Sequence, residues 1–400
     1  MTMDILLETD SGVPDAVAVD NAWSDMGIDP IEVRCWMTAV LPGRDFSNEP
    51  PVTLNRKDWS LVAKFLASDE SGPADVVYKT TLLSEFRHGP AVFSLLTKHC
   101  MGQTPHLLAW REAAGRSEML FHPFSGISVG ATGSFDALLE MARTLARIQS
   151  RVARIPTAET ADLPVLAIRD VPGILDHLVE NITQTYQGYW NADGGTIRNE
   201  FGVPPDLVEQ LAVFRPLIET WAAMLEQAGP ALSLDHVDFL PHNAVAKEDG
   251  SVLIYDWEQA VWSCPFFSLD ILLAFAQNFD ETRAQSEDGQ AFLVLGEEQD
   301  TPASTALRQA YLEAFEWGTM TEREAAFDLA LCLSPVRYAY AEGLLAKKFG
   351  HEQYHAEDLA WWIMRALRRW KRQVDREDAE PRMPSDPTAA FCEALKLEKT

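Results

Sequence analysis

One β-rich island, residues 232–262, sits among segments whose apolar residues recur every three or four positions, and it constrains the chain more than any other stretch. Its centre, NAVAKEDGSVLIYDW, reads as a hairpin: apolar alternation, a turn at Glu248, Asp249 and Gly250, then VLIYDW. The chain thus has one β-hairpin set inside helices. Pairing its strands brings Asn243, at the start of the first, beside Asp256, at the end of the second. An amide oxygen next to a carboxylate suits octahedral magnesium, with water and phosphate oxygens in the remaining positions. Asp238, five residues before Asn243, then stands next to the metal position without being needed as a ligand. There it can accept a proton from an attacking hydroxyl.

The flanking sequence divides into two kinds. Before about residue 122 the runs VRCWMTAVL (33–41), SLVAKFLA (60–67) and DVVYKTT (75–81) are rich in Val, Thr and aromatic residues and separated by Pro, Gly, Asn and Asp. They read as an antiparallel sheet. A helix follows near 85–98, and HLLAWREAAGRSEMLFHPF reads as two strands joined at Ala114 and Gly115. After residue 125 the period becomes helical. FDALLEMARTLARIQSRV follows an N-cap candidate in Ser134, and further helices are expected near 170–186, 205–227, 304–317, 322–347 and 353–374. The expected organisation is therefore an acidic, loosely held lead-in (1–29), a small β-rich lobe (30–122), a larger, mostly helical lobe (123–378) and a tail (379–400), with a hinge near Met119–Phe124. A cleft between two lobes of different character is a natural small-molecule site.

Composition excludes several classes. A net charge of −27 argues against nucleic acid or an anionic membrane as partner, because a phosphate surface needs a basic face. That charge fits solubility first and a cationic substrate second. No run of about 18 apolar residues occurs, and the N-terminus carries acids where a signal peptide has bases, so a cytoplasmic protein, monomer or homodimer, is expected. The five scattered cysteines form no CxxC pair and read as reduced packing residues.

HVDFLPHN and YDWE together resemble the HxDxxxxN loop and the metal-binding segment of the aminoglycoside phosphotransferase and choline kinase-like family, which has the protein-kinase-like fold. The resemblance implies ATP, or another NTP, and Mg2+ as cofactors, and phosphorylation of a small-molecule hydroxyl on an amino sugar, a choline-like amine or another metabolite. It implies Asp238 as base and Asn243 and Asp256 as metal ligands. VVYKT places Lys79 on the strand where the family's phosphate lysine lies, LARIQ (145–149) resembles the helix before the catalytic region, and PFFSLD resembles the segment after the metal aspartate. Asp270 is expected to brace the catalytic loop, and His236 to hydrogen-bond its backbone. His242 reads as exposed.

The sequence also departs from the pattern. Val237 replaces the glycine usual after the loop histidine, so φ there should be negative. The nucleotide-covering turn NRKDWS (55–60) lacks glycine, leaving Arg56, Lys57 and Ser60 to help hold phosphate. The lysine's helix glutamate falls at Gly89, with Glu85 one turn earlier as its expected substitute. These departures leave open a catalytically weak or inactive nucleotide-binding relative. HEQYH (351–355) leaves a remote zinc-hydrolase reading, although the context favours an exposed first helical turn. The basic run Arg365, Arg368, Arg369, Lys371 and Arg372 reads as a solvated face.

Overall fold

The N-terminal lobe is organised by a sheet whose two faces do different work. Two helices, α1 (Asn21–Asp25) and α2 (Pro30–Val40), cover one face. The strands are β1 (Asp45–Phe46), β2 (Val52–Lys57), β3 (Ser60–Phe65), β4 (Ala67–Asp69), β5 (Gly72–Pro73), β6 (Val76–Thr81), β7 (Leu107–Ala113) and β8 (Arg116–Phe121). Five of them form an antiparallel sheet in the order β2-β3-β6-β8-β7. Strand alternation sends Leu61, Ala63, Phe65, Val76 and Tyr78 under α1 and α2 and turns Lys79, next to Tyr78, to the opposite face. These statements come from a computed structural model that describes residues 21–181, 206–277, 300–349 and 352–379.

Residues 33–41 are a correction to the strand expected there: all but Leu41 belong to α2. Their composition favours β structure, but Asp29 caps the helix, its Oδ1 accepting from the Ile31 amide at 2.8 Å, and Pro30 occupies the first turn. Val33 and Met37, one turn apart, are then both buried against the sheet. The described end of the lead-in is also held. Trp23 stacks on Tyr78 with ring centroids 5.7 Å apart, and Met26 and Ile28 are buried.

Helix α3 (Gly89–His99) packs on the sheet's other side, where Phe93 meets Phe121 edge-on at 4.8 Å. The chain leaves β8 after Phe121 and enters β9 (Ile127–Ser128), so residues 122–126 connect the lobes. Gly126 has φ +158°, and a Cβ there would lie 2.7 Å from the Ala246 carbonyl oxygen, so only glycine admits this approach. The larger lobe follows with α4 (Val129–Thr132), α5 (Phe135–Val152), α6 (Thr157–Thr160), α7 (Val171–Asn181) and α8 (Leu207–Ala228). The island supplies β10 (Ser233–Asp235), β11 (Ala244–Ala246), β12 (Val252–Ile254) and β13 (Val261–Ser263). Helices α9 (Leu269–Gln277), α10 (Pro302–Ala314), α11 (Met320–Phe349) and α12 (Glu352–Ala379) complete it.

The basic run on α12 is a second correction. Arg365 and Arg369 are one turn apart on the inner face and are buried, paired with Asp270. The loop 187–201, most of the C-terminal tail and His351 lie outside the described residues. No group of three or more His, Cys, Asp or Glu able to hold a metal occurs among the described residues, and no helix there is long and apolar enough to cross a membrane.

Candidate active site

The loop 235–243 is fixed from beneath by buried polar groups. Asp235 receives the Ser268 hydroxyl at 2.8 Å and the Val237 amide at 3.2 Å, and pairs with Arg337 at 2.7 Å. The Ser268 hydroxyl also accepts from the His236 amide at 2.9 Å. His236 is fully buried, and its Nε2–H donates to the Tyr255 carbonyl at 2.8 Å, tying the loop to the far strand of the hairpin. Burial holds its imidazole below the usual histidine range, so it is neutral at physiological pH and suited to a backbone tie. One turn of α5 locks the same region. Gln149 donates from Nε2 to the Leu234 and Pro265 carbonyls, both at 2.8 Å, and accepts from the Tyr311 hydroxyl at 2.6 Å.

Val237 contradicts the expectation of a negative φ: it sits at +73°. The Val237 amide is held by Asp235 and the next amide, that of Asp238, by the His236 carbonyl at 2.9 Å, so the backbone is overdetermined and the valine takes a conformation that costs an L-residue about 1–2 kcal/mol. The side chain is nonetheless buried. Val237→Gly is therefore expected to lose at least about 1 kcal/mol less stability in urea unfolding than Val245→Gly, which truncates a buried valine in the unstrained strand β11. Equal losses would mean that Val237 carries no strain.

The hairpin forms as expected, with Ala244 opposite Ile254 and Ala246 opposite Val252. One step further out, the Tyr255 amide donates to the Asn243 carbonyl at 2.9 Å, which sets Asp256 at the mouth of the hairpin, in the left-handed region at φ +66°. Asn243 is buried, and its Nδ2 donates to the Asp238 carbonyl at 2.8 Å and to Asp238 Oδ2 at 2.9 Å. Its Oδ1 is thereby turned away from Asp238. Lys79 reaches across from the sheet and its ammonium contacts both Asp256 and Glu258. Burial alone would push the ammonium down, but the two carboxylates hold it above the ordinary lysine value. Burial raises Asp256 as well, and Lys79 more than reverses this, holding it well below the carboxylate range. Glu258, more deeply enclosed, is pushed up to about 7 by burial, with Lys79 opposing.

Glu258 is not among the site residues expected from the sequence; its position two residues after Asp256, at the end of YDWE, is the available signal. It takes the place expected of Glu85. Residues 84–86 form a 3-10 turn that is not continuous with α3, so the helical offset linking Glu85 to Gly89 does not hold, and Glu85 is exposed, accepting from the Ser84 hydroxyl. Arg56 is bound to Asp25 at 2.6 Å and is directed to α1 instead of the cleft. Ser60 opens β3, paired with Lys57 and Thr81. Lys57 is the cation of this turn whose charge reaches Asp256, adding to its depression. Asp270 is corrected too: its carboxylate bonds to Arg365, Arg369 and Ser334, and the bracing expected of it is performed by Ser268, two residues earlier. His242 is exposed as expected.

No family model and no curated protein matches the sequence. Among solved structures the chain is similar to a choline kinase from Cryptosporidium parvum Iowa II, at 11% identity and a TM-score of 0.56, over 88% of this chain and 98% of that one. It is similar to an ethanolamine kinase from Plasmodium vivax at 10% identity and a TM-score of 0.52, over 91% and 96%. It also matches the aminoglycoside phosphotransferase APH(4)-Ia, in a ternary complex with AMP-PNP and hygromycin B, at 13% identity and a TM-score of 0.49, over 84% and 98%. At such identities the likeness is one of fold: this chain has the two-lobed α+β protein-kinase-like fold, a small sheet lobe over a larger helical one.

Proposed function

We propose that the protein is an ATP-dependent phosphotransferase acting on a hydroxyl of a small molecule. The observation that carries this reading is the convergence of Lys79, Asp238, Asn243 and Asp256 at the mouth of one hairpin. The donor set fits magnesium: the amide oxygen of Asn243 and the carboxylate of Asp256 are hard oxygen ligands, and two carboxylates face a single lysine, an acidic excess that a divalent cation would relieve. Magnesium held there would supply charge neutralisation for the phosphates. Lys79 anchors phosphate oxygens of the nucleotide. Asn243 fixes the orientation of Asp238, and Asp238 takes the proton of the acceptor hydroxyl as its oxygen bonds to the γ-phosphorus and the bond to ADP breaks. The work is mostly positioning and charge stabilisation, which these few groups can perform.

Acceptors to try first are amino alcohols, because two structural neighbours above 0.5 in TM-score are a choline kinase and an ethanolamine kinase and the chain's net charge of −27 favours cations. Aminoglycosides and other hydroxylated amines come next. Asp256→Asn is expected to weaken ATP binding in the presence of magnesium at least about tenfold by calorimetry, with little effect in EDTA, since one charged ligand is lost. Wild-type protein that binds no nucleotide with magnesium overturns the reading. Binding without transfer to any acceptor would favour the inactive relative, for which the glycine-free turn and the diverted Arg56 speak.

A further inference from the structure

In the kinase arrangement the phosphate lysine is held by a helix glutamate. Here the corresponding position of α3 is Gly89, and the space its missing side chain leaves is filled. A Cβ at Gly89 would lie 3.1 Å from Glu258 Cγ, 3.6 Å from its Cβ and 3.7 Å from its Cα. The glycine is thus the surface on which the Glu258 side chain lies on its way to Lys79. The same loop is clamped to the helix start by His88, whose Nε2–H donates to the Ala260 carbonyl at 2.9 Å. The Glu258 side chain is only 4% exposed, and a carboxylate so enclosed needs a cationic partner, which Lys79 provides. Asp256 cannot fill this role alone, because a carboxylate engaged with a metal is drawn away from the ammonium.

We infer that Glu258 is the positioning residue for Lys79, a carboxylate moved from helix α3 to the loop after the metal aspartate, with Gly89 as the complementary change that makes room for it. The inference rests on the phosphotransferase reading for its consequence, but the pairing itself can be tested without turnover. Lys79 remains engaged to Glu258 when Asp256 turns to metal, so the lysine keeps its place through nucleotide binding and transfer.

The test is to move the carboxylate back. Glu258→Ala is expected to lower kcat/KM for ATP about 10–100-fold, the scale of one lost hydrogen bond to a charged group. Adding Gly89→Glu should recover at least about fivefold of that loss, because truncating Glu258 opens the space a side chain at 89 needs. Gly89→Glu alone should be worse than wild type, since both side chains then compete for one space. Glu258→Gln, nearly isosteric, serves if the alanine variant does not fold, and should show the same kinetic loss. Acylation of Lys79 by acetic anhydride, followed by mass spectrometry, reads the pairing directly: several-fold faster in Glu258→Ala and slowed again in the double variant. Folded variants in which Gly89→Glu rescues nothing, or in which extra magnesium alone restores Glu258→Ala, overturn the inference and make Glu258 a structural acid or a metal ligand. Unchanged Lys79 reactivity in Glu258→Ala overturns it as well. A wild-type protein that binds no MgATP overturns the kinase reading while leaving the acylation result to decide the pairing.

Discussion

Asp238→Asn is expected to lower kcat by about 10²–10⁴ in any acceptor assay while leaving MgATP affinity within about twofold of wild type. The substitution keeps the shape of the side chain and one oxygen to accept from Asn243 Nδ2, so the loop should hold its course. What is lost is the ability to take a proton. The loop backbone is set by groups that do not involve the Asp238 carboxylate: Ser268 and Arg337 on Asp235, and the Tyr255 carbonyl on His236. On the proposed reading, nucleotide affinity rests on Lys79 and Asp256, which pair with each other and not with Asp238. A kcat within threefold of wild type would remove Asp238 as the base, and a parallel fall in MgATP affinity would make it a metal or nucleotide ligand. The remaining activity has a physical reason: in a loose transition state the proton leaves late, so positioning and charge still accelerate the reaction when the base is gone.

What the sequence disclosed, and what it hid, divides along the distance over which each signal acts. The hairpin and its turn at Gly250 are local, written within fourteen residues, and they form; the ladder sets Asn243 opposite Tyr255, the residue before the expected Asp256. The Ser134-capped helix and the Ala114–Gly115 turn are equally local and also form. The strand expected at 33–41 failed because residue composition outweighed a cap: Asp29 and Pro30 precede the run and were the stronger signal. Ser268 and Arg337 carry no sequence signal of their roles, and Glu258 carries only its place in YDWE, since each acts on a residue between 30 and 180 positions away and its role depends on packing that no periodicity encodes. Val237 is instructive in another way. The expectation assumed that a valine sets its own φ, whereas the hydrogen bonds of its neighbours set it and the valine bears the cost.

Asp270→Asn is expected to destabilise the protein by about 3–5 kcal/mol in urea unfolding followed by tryptophan fluorescence. Asp270 is fully buried and serves two arginines of α12: Arg365 Nη2 lies 2.8 Å from Oδ1, and Arg369 donates at 2.9 Å to Oδ1 and 2.8 Å to Oδ2. The Ser334 hydroxyl of α11 completes the cluster. Neutralising the carboxylate takes from two enclosed guanidinium groups the buried charge they share, which costs far more than the ion pairs themselves contribute. The triple variant Asp270→Asn, Arg365→Met, Arg369→Met should therefore be more stable than the single one, because both guanidinium charges go together with the carboxylate that faced them. The pH dependence has a defined sign. Burial raises the Asp270 carboxyl, but Arg369 and Arg365 more than reverse this and hold it well below its unfolded value. Its contribution is thus complete above the ordinary carboxylate pKa and is lost as pH falls through that value and towards the folded one. Wild type should lose stability on acidification below about pH 4 more steeply than Asp270→Asn, which has no proton to take up at this site. Parallel acid profiles, or a single variant that unfolds with wild-type midpoint and slope, would mean that α11 and α12 are held by their apolar faces alone and that the cluster only sets their register.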